Sequence, residues 1–245
     1  MSFVITLHVR EGIVLASDSR LTLNTTNKQD ENTTVNVAVA STDSNYKTFL
    51  AYDKIGISTF GNADINGTPL AGYIETFIKE SENEDNNDIE GFCTRLLNYF
   101  REIDDKINTG FHVAGYQSVE GEVKQKVFRV FINQNRVQEI NTQSNEGKPV
   151  QGATWDGESD ILTRLIQPVF IKVNNNNYQA LPHFSIPWQF FTLQDAVDFS
   201  VFAVRSTIEA IKFFPRAKTI GGPIDVLVIK PNEAKWISRK ELKIN

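Results

Sequence analysis

Residues 2–22 read Ser2-Phe3-Val4-Ile5-Thr6-Leu7-His8-Val9-Arg10-Glu11-Gly12-Ile13-Val14-Leu15-Ala16-Ser17-Asp18-Ser19-Arg20-Leu21-Thr22. Two apolar runs, Phe3 to Val9 and Ile13 to Ala16, flank an Arg10-Glu11-Gly12 turn, so the stretch predicts a β-hairpin that begins at the second residue. Chain ends usually fray into solvent. An apolar strand in this place predicts a terminus tied down inside the fold, which is where an N-terminal nucleophile would have to sit.

The bulk properties exclude several classes of function. A chain of 245 residues, 40% hydrophobic and 22% charged, has ordinary globular composition and reads as one domain over residues 1–245. Its net charge of −5 and the lack of a Lys/Arg cluster argue against nucleic acid as a partner. A single cysteine, Cys93, excludes an internal disulfide framework and falls within an apolar helical pattern, as a core residue would. No apolar run reaches the length of a membrane span, and the first residues lack the basic and apolar regions of a secretory leader. The expectation is a cytoplasmic protein with no membrane partner. His8, His112 and His183 are scattered without metal-ligand spacing, and Gly221-Gly222 lacks the continuation of a phosphate loop, so neither metal nor cofactor is expected.

Further along, the polar stretch Leu23 to Thr33 reads as an exposed loop or hairpin tip, followed by a strand from Thr34 to Ala40. Strands are predicted at Lys47 to Ala51 and Ile55 to Phe60. A helix is predicted with Thr68 as N-cap and Pro69 at its first position, and a second from near Asp88 with Ile89, Phe92, Cys93, Leu96, Leu97, Phe100, Ile103 and Ile107 at helical spacing. A meander follows at Phe111 to Tyr116, Lys126 to Ile132 and Arg136 to Ile140. A third helix, capped by Asp156, is predicted from about Gly157 to Gln167, and Asn174 to Asn177 reads as a loop tip. Thr192 with Asp195 three residues on predicts the start of a fourth helix, Leu193 to about Lys212. A strand after Gly221-Gly222 is answered by Lys235-Trp236-Ile237. Strands in two groups, each followed by paired helices, predict an α+β fold of two stacked antiparallel sheets with helices outside.

Several of these phrases resemble the proteasome β-type subunits, the family that includes the bacterial HslV peptidase. Members begin with Thr, run through one apolar strand, turn at a Gly and reach an Ala-x-Asp-Ser-Arg-x-Thr block; here Ser2 falls on the nucleophile position, and Asp18, Ser19, Arg20 and Thr22 fall on the block without a gap. Lys47, Asp53, Ile55, Gly61 and Ala63-Asp64 match a second block, although Phe60 replaces the usual small residue and one residue is missing between Gly61 and Ala63. The Gly110 to Tyr116 strand and Gly221-Gly222-Pro223-Ile224-Asp225-Val226 are also similar. The resemblance implies the four-layer αββα sandwich of the N-terminal-nucleophile (Ntn) hydrolases.

It also implies a chemistry. Ser2, once Met1 is removed, would attack a peptide carbonyl while its own α-amine, a fair base near neutrality, takes the proton. Lys47 paired with Asp18 would lower the hydroxyl's pKa, and the N–H of Gly61 would receive the oxyanion. Arg20, Leu21 and Thr22 would line the substrate strand, with Thr59 and Ala63 near the specificity pocket. The implied partners are a polypeptide or peptide substrate and further copies of the same chain, with an ATPase partner left open. Taken singly, each residue has a structural explanation: an ion pair between strands, a turn glycine, a common second residue. By the Gly-Gly anchor, the family's Asp and Ser that hydrogen-bond the nucleophile's amine become Ala217 and Ile220, and its Gly-Ser-Gly before the third helix reads Gly152-Ala153-Thr154-Trp155-Asp156-Gly157. That gap supports the alternative of a catalytically silent member retained as an assembly or binding module. A third reading is an amidase for a small substrate.

Overall fold

The leading hairpin forms where two apolar runs meet a turn: β1 (Phe3–Val9) and β2 (Gly12–Ser17) pair antiparallel, with Ile5 opposite Ala16 and Leu7 opposite Val14. Every residue of both strands is buried. The computed structural model describes residues 2–28, 34–85, 87–142, 149–174 and 177–241. Next come β3 (Leu21–Lys28) and β4 (Thr34–Thr42), then β5 (Thr48–Ala51), β6 (Ile55–Gly61) and the two-residue strands β7 (Asp64–Ile65) and β8 (Thr68–Pro69). Helices α1 (Leu70–Glu80) and α2 (Ile89–Ile103) precede β9 (Thr109–Val119), β10 (Glu122–Phe131), β11 (Arg136–Glu139) and β12 (Gly152–Gly157). Helix α3 (Asp160–Ile166), β13 (Phe170–Asn174), β14 (Asn177–Ala180), α4 (Leu193–Ile211), β15 (Asp225–Lys230) and β16 (Glu233–Ser238) complete the chain.

Two five-stranded sheets carry the fold, in the orders β12-β1-β2-β15-β16 and β11-β10-β9-β6-β5, every pairing antiparallel. Because side chains alternate along a strand, the same strands supply different cores. Phe3, Ile5, Leu7, Val14, Ala16, Val226 and Val228 pack with Leu162 of α3 and Ala196, Ala203 and Val204 of α4. Ile57, Phe111, Val113, Phe128 and Val130 of the second sheet pack with Ile74 and Phe77 of α1 and Phe92, Leu96 and Phe100 of α2. Between the sheets, Ile13, Leu15, Leu227 and Ile229 meet Ala114 and Val127. Gly56 makes room for this contact, since a Cβ there would stand 2.8 Å from both Leu15 and Ile229.

A polar seam runs beside that apolar contact. The Thr6 hydroxyl and His112 Nδ1 lie 3.0 Å apart across the sheets, and His112 Nε2 lies 2.8 Å from Asp156, which also takes Arg129. Thr48 donates to Ser17 at 2.8 Å and lies 2.9 Å from Ser58. Thr6, Ser17, Thr48, Ser58 and His112 are buried, and each has the partner that burial demands, while Asp156 and Arg129 are half-buried. At the far end of β1, His8 is buried with Nδ1 2.7 Å from the Val150 carbonyl; a carbonyl only accepts, so Nδ1 carries the hydrogen.

Several sequence expectations need correction. The stretch read as a loop from Leu23 is the strand β3, paired with β4 from Leu21 opposite Thr42, while residues 29–33 lie outside the described residues. The loop-tip reading at Asn174 to Asn177 covers the ends of β13 and β14, with 175–176 outside the described residues. Pro69, not Thr68, stands at the N-cap of α1, because 68–69 pair with 64–65. Ile107 is buried beyond the end of α2. Helix α3 starts at Asp160, and Asp156 caps nothing: residues 152–157 form a strand on β1, with Asp156 opposite Val4. The capping box at Thr192 and Asp195 is present as predicted. Among the described residues, no helix is long and apolar enough to cross a membrane.

Leu15→Ala removes fully buried methyl groups between the sheets and is expected to cost about 2–5 kcal/mol in urea unfolding, whereas Leu23→Ala, at an exposed position, costs within about 0.5 kcal/mol. Burial lowers the pKa of His8 to about 4, against the opposing hydrogen bond to Val150. Its folded pKa is below the unfolded one, so the unfolded chain binds the extra proton and stability falls as pH drops from about 6.5 to about 4, by on the order of 3 kcal/mol. His8→Gln is expected to flatten that part of the stability profile, measured by urea unfolding at several pH values.

Candidate active site

The site is built around Asp18, which follows β2 and is fully buried. Its Oδ1 accepts from the Phe3 N–H at 3.0 Å and from Lys47 Nζ at 2.8 Å. Its Oδ2 accepts from the N–H groups of Arg20 and Gly221, each at 3.1 Å. A buried carboxylate has about four acceptor positions, and all of them are filled. Lys47 stands just before β5, 1% exposed. Burial pushes its ammonium below the usual lysine pKa, opposed by the Asp18 charge, while the positive charges of Lys240 and Arg20 push the same way as burial.

Ser2 is buried beside this carboxylate. Its carbonyl accepts from the Glu158 N–H at 2.8 Å, and the peptide N–H that follows it, that of Phe3, is the one bound to Asp18. Ser2 thus lies one peptide unit from the oxygen that holds the Lys47 ammonium. The structure brings Ser2, Asp18 and Lys47 together, although they are spread over 46 sequence positions.

Gly61 closes β6 on the other sheet. Its φ is +93°, and a Cβ would meet the Asn108 carbonyl oxygen at 2.2 Å, so the position admits only glycine. The same strand carries Thr59, whose N–H donates to the Lys47 carbonyl at 2.9 Å and whose buried hydroxyl has no partner among the described residues. The buried Thr22 hydroxyl is likewise unpartnered. Half-buried Ala63 follows, its carbonyl accepting from Leu70 at 3.0 Å. The Arg20 side chain forms a two-pronged pair with Asp43, Nε at 2.6 Å and Nη2 at 2.8 Å, and its guanidinium lies on Gly221. That pairing raises the Arg20 pKa and lowers that of Asp43. Leu21 and Thr22 open β3, opposite Thr42 and Ser41. No cluster of three metal-ligating side chains occurs among the described residues.

The structure is similar to that of Anbu from Hyphomicrobium sp. strain MC1, a protein of proteasome-like fold. The superposition covers 98% of this chain and 88% of that one with a TM-score of 0.57, at 15% sequence identity. The likeness is one of fold. No protein-family model and no curated protein matches the sequence.

On this proteasome-like fold Ala217 and Ile220 keep the apolar character read from the sequence, and the residues that meet the Ser2 carbonyl are Gly157 and Glu158. Ala217 is half-buried and Ile220 lies in the apolar cluster under α4, so neither offers a polar side chain. The glycine that crosses Ser2 is Gly157: at φ +90°, its Cβ would fall 1.8 Å from the Ser2 carbonyl oxygen. Glu158 comes next, its carboxylate taking Arg216 at 3.1 and 2.7 Å and the Thr219 hydroxyl at 3.1 Å. Sequence reasoning missed Glu158, and its partners 58 and 61 residues away gave no local signal. It also missed Asp225, fully buried and paired with Lys240.

Removing Lys47 would leave the Asp18 charge buried without its cation. Lys47→Ala is expected to destabilise the fold by roughly 3–5 kcal/mol in denaturant titration, and the pair Asp18→Asn with Lys47→Met by clearly less than the sum of the single changes.

Proposed function

We propose that the chain is an Ntn hydrolase, one domain over residues 1–245 with the four-layer αββα arrangement, which cleaves peptide bonds with Ser2 as nucleophile after Met1 is removed. The observation that carries this reading is that Ser2 lies one peptide unit from the buried Asp18 carboxylate, which the Lys47 ammonium meets at 2.8 Å. With a free amine, Ser2 supplies both hydroxyl and base. The hydroxyl oxygen attacks the carbonyl carbon, its proton passes to the α-amine, and the negative charge develops on the carbonyl oxygen, toward the Gly61 N–H. Collapse breaks the C–N bond as the α-ammonium returns the proton to the leaving amine. Water then hydrolyses the Ser2 ester, with the same amine as its base. The Lys47 ammonium stabilises the developing alkoxide, and the Asp18 carboxylate holds the ammonium in place.

The substrate fits as an added strand. Among the described residues β3 pairs only with β4, so the other edge of β3, at Leu21 and Thr22, is free to take an extended peptide. Assembly with further copies of the chain, in the cytoplasm, belongs to the same reading.

A second reading, a catalytically silent assembly module, draws on the apolar character of Ala217 and Ile220. A fluorogenic peptide assay separates the two. In the hydrolase reading, protein trimmed of Met1 turns over substrate, Ser2→Ala loses at least about a hundredfold in kcat, and protein retaining Met1 is as inactive as Ser2→Ala. Equal turnover in all three samples, or none in any, rejects the hydrolase.

A further inference from the structure

We infer that Glu158, clamped by Arg216 and Thr219, is the carboxylate that holds the α-amino group of Ser2 in position. The inference rests on the reading of Ser2 as an N-terminal nucleophile and supplies the orienting group that Ala217 and Ile220 lack.

A nucleophile whose amine serves as base must have that amine aimed, and an amine beside a 2%-exposed residue needs a protein acceptor. Asp18 is near enough along the chain but is already full: Phe3 N–H and Lys47 occupy Oδ1, Arg20 N–H and Gly221 N–H occupy Oδ2. Glu158 is different. Its Oε1 accepts from Arg216 Nη1 and the Thr219 hydroxyl, whereas its Oε2 accepts only from Arg216 Nη2 among the described residues. One acceptor position on Oε2 remains.

Placement favours the same assignment. The Glu158 N–H is bonded to the Ser2 carbonyl at 2.8 Å, so the two residues are joined by their backbones irrespective of side-chain conformation. Gly157 makes that approach possible, being the one residue type that can pass the carbonyl this closely. The other side of the clamp is tied to the site as well. Thr219, 2% exposed, lies two residues before Gly221, whose N–H binds Asp18. Glu158 itself is 8% exposed, and a carboxylate so buried is costly unless charged partners hold it. A two-pronged arginine fixes its plane as well as its charge. Glu158 touches no reacting atom in this scheme; it is a positioning residue acting through the amine.

The test is a titration of the Ser2 α-amine itself, in Met1-trimmed protein labelled with 13C-serine, following the Ser2 Cβ resonance by NMR. A carboxylate beside an amine favours the ammonium form, so Glu158→Gln is expected to lower the amine pKa by about half a unit or more. Arg216→Gln removes the competing cation and is expected to shift it upward. A carboxylate that merely staples the start of α3 to residues 216–219 would move stability and leave both titrations unchanged. If Glu158→Gln does not fold, Arg216→Gln, with its side chain 39% exposed, decides alone: an upward shift supports the inference, and no shift or a downward one overturns it. The two readings fail separately. Expected shifts in a protein without peptidase activity would reject the hydrolase and keep the Glu158 assignment. Peptidase activity with unmoved titrations would do the reverse.

Discussion

One buried charge constrains everything near the start of this chain. Asp18 has no access to solvent, and a carboxylate in that position is tolerable only if its acceptor sites are filled. Four donors from different parts of the sequence meet the demand: the N–H of Phe3, the ammonium of Lys47, the N–H of Arg20 and the N–H of Gly221. Such an ion pair is weak evidence for net stability, since desolvation offsets most of its attraction. It is strong evidence about geometry, because displacing any one donor exposes the cost. Ser2 inherits that rigidity through the peptide bond to Phe3.

The site also spans both sheets, so their alignment sets its dimensions. Ser2 leads into β1 and Asp18 follows β2, whereas Lys47 precedes β5 and Gly61 ends β6. Apolar contact between Leu15, Ile229, Ala114 and Val127 holds the sheets together but has little directional preference. The polar seam supplies direction. Thr6 to His112 to Asp156, and Ser17 to Thr48 to Ser58, admit one register of sheet on sheet. Burial lowers the pKa of His112, while Asp156 opposes it. The Ser17–Thr48 link lies next to the catalytic candidates in sequence, one residue before Asp18 and one after Lys47. The bond that aligns the sheets there therefore also sets the reach of the ammonium.

What the sequence disclosed follows the range of the interactions. The leading hairpin was legible because both strands are buried on both faces and read as continuous apolar runs around one turn. Helix α4 was legible through Thr192 and Asp195, a signal complete within four residues. Strand β3 was not, since its run of Asn and Thr residues carries no apolar period, whereas the alternation of Val35, Val37 and Val39 marked its partner β4. Strand β12 was hidden for a different reason: Asp156 reads as a helix cap by its position before Asp160, and only the partners His112 and Arg129, 44 and 27 residues back, assign it to the seam. Lys47 and Asp18 emerged through spacing and resemblance, and the structure places them in contact. Arg20, expected along the substrate strand, has its side chain committed to Asp43, which leaves its backbone N–H to the site.

The second buried ion pair explains why Lys47 keeps its place. Asp225 stands opposite Ser17 in the ladder, so its carboxylate is one residue along from Asp18 on the neighbouring strand. It binds Lys240 through both the side chain and the N–H, the latter at 2.9 Å. Lys240 in turn lies over the ring of Tyr46, 4.5 Å from its centroid, while the Tyr46 hydroxyl donates to the Lys240 carbonyl at 3.3 Å. Arg239 covers the same ring at 5.2 Å. Tyr46 is the residue before Lys47, so the segment after β16 anchors the backbone from which the ammonium projects. A flexible lysine side chain loses much entropy when ordered. Fixing its backbone from one side, through Tyr46, and its carbonyl from the other, through the Thr59 N–H, makes the single approach to Asp18 a property of the fold rather than of the side chain.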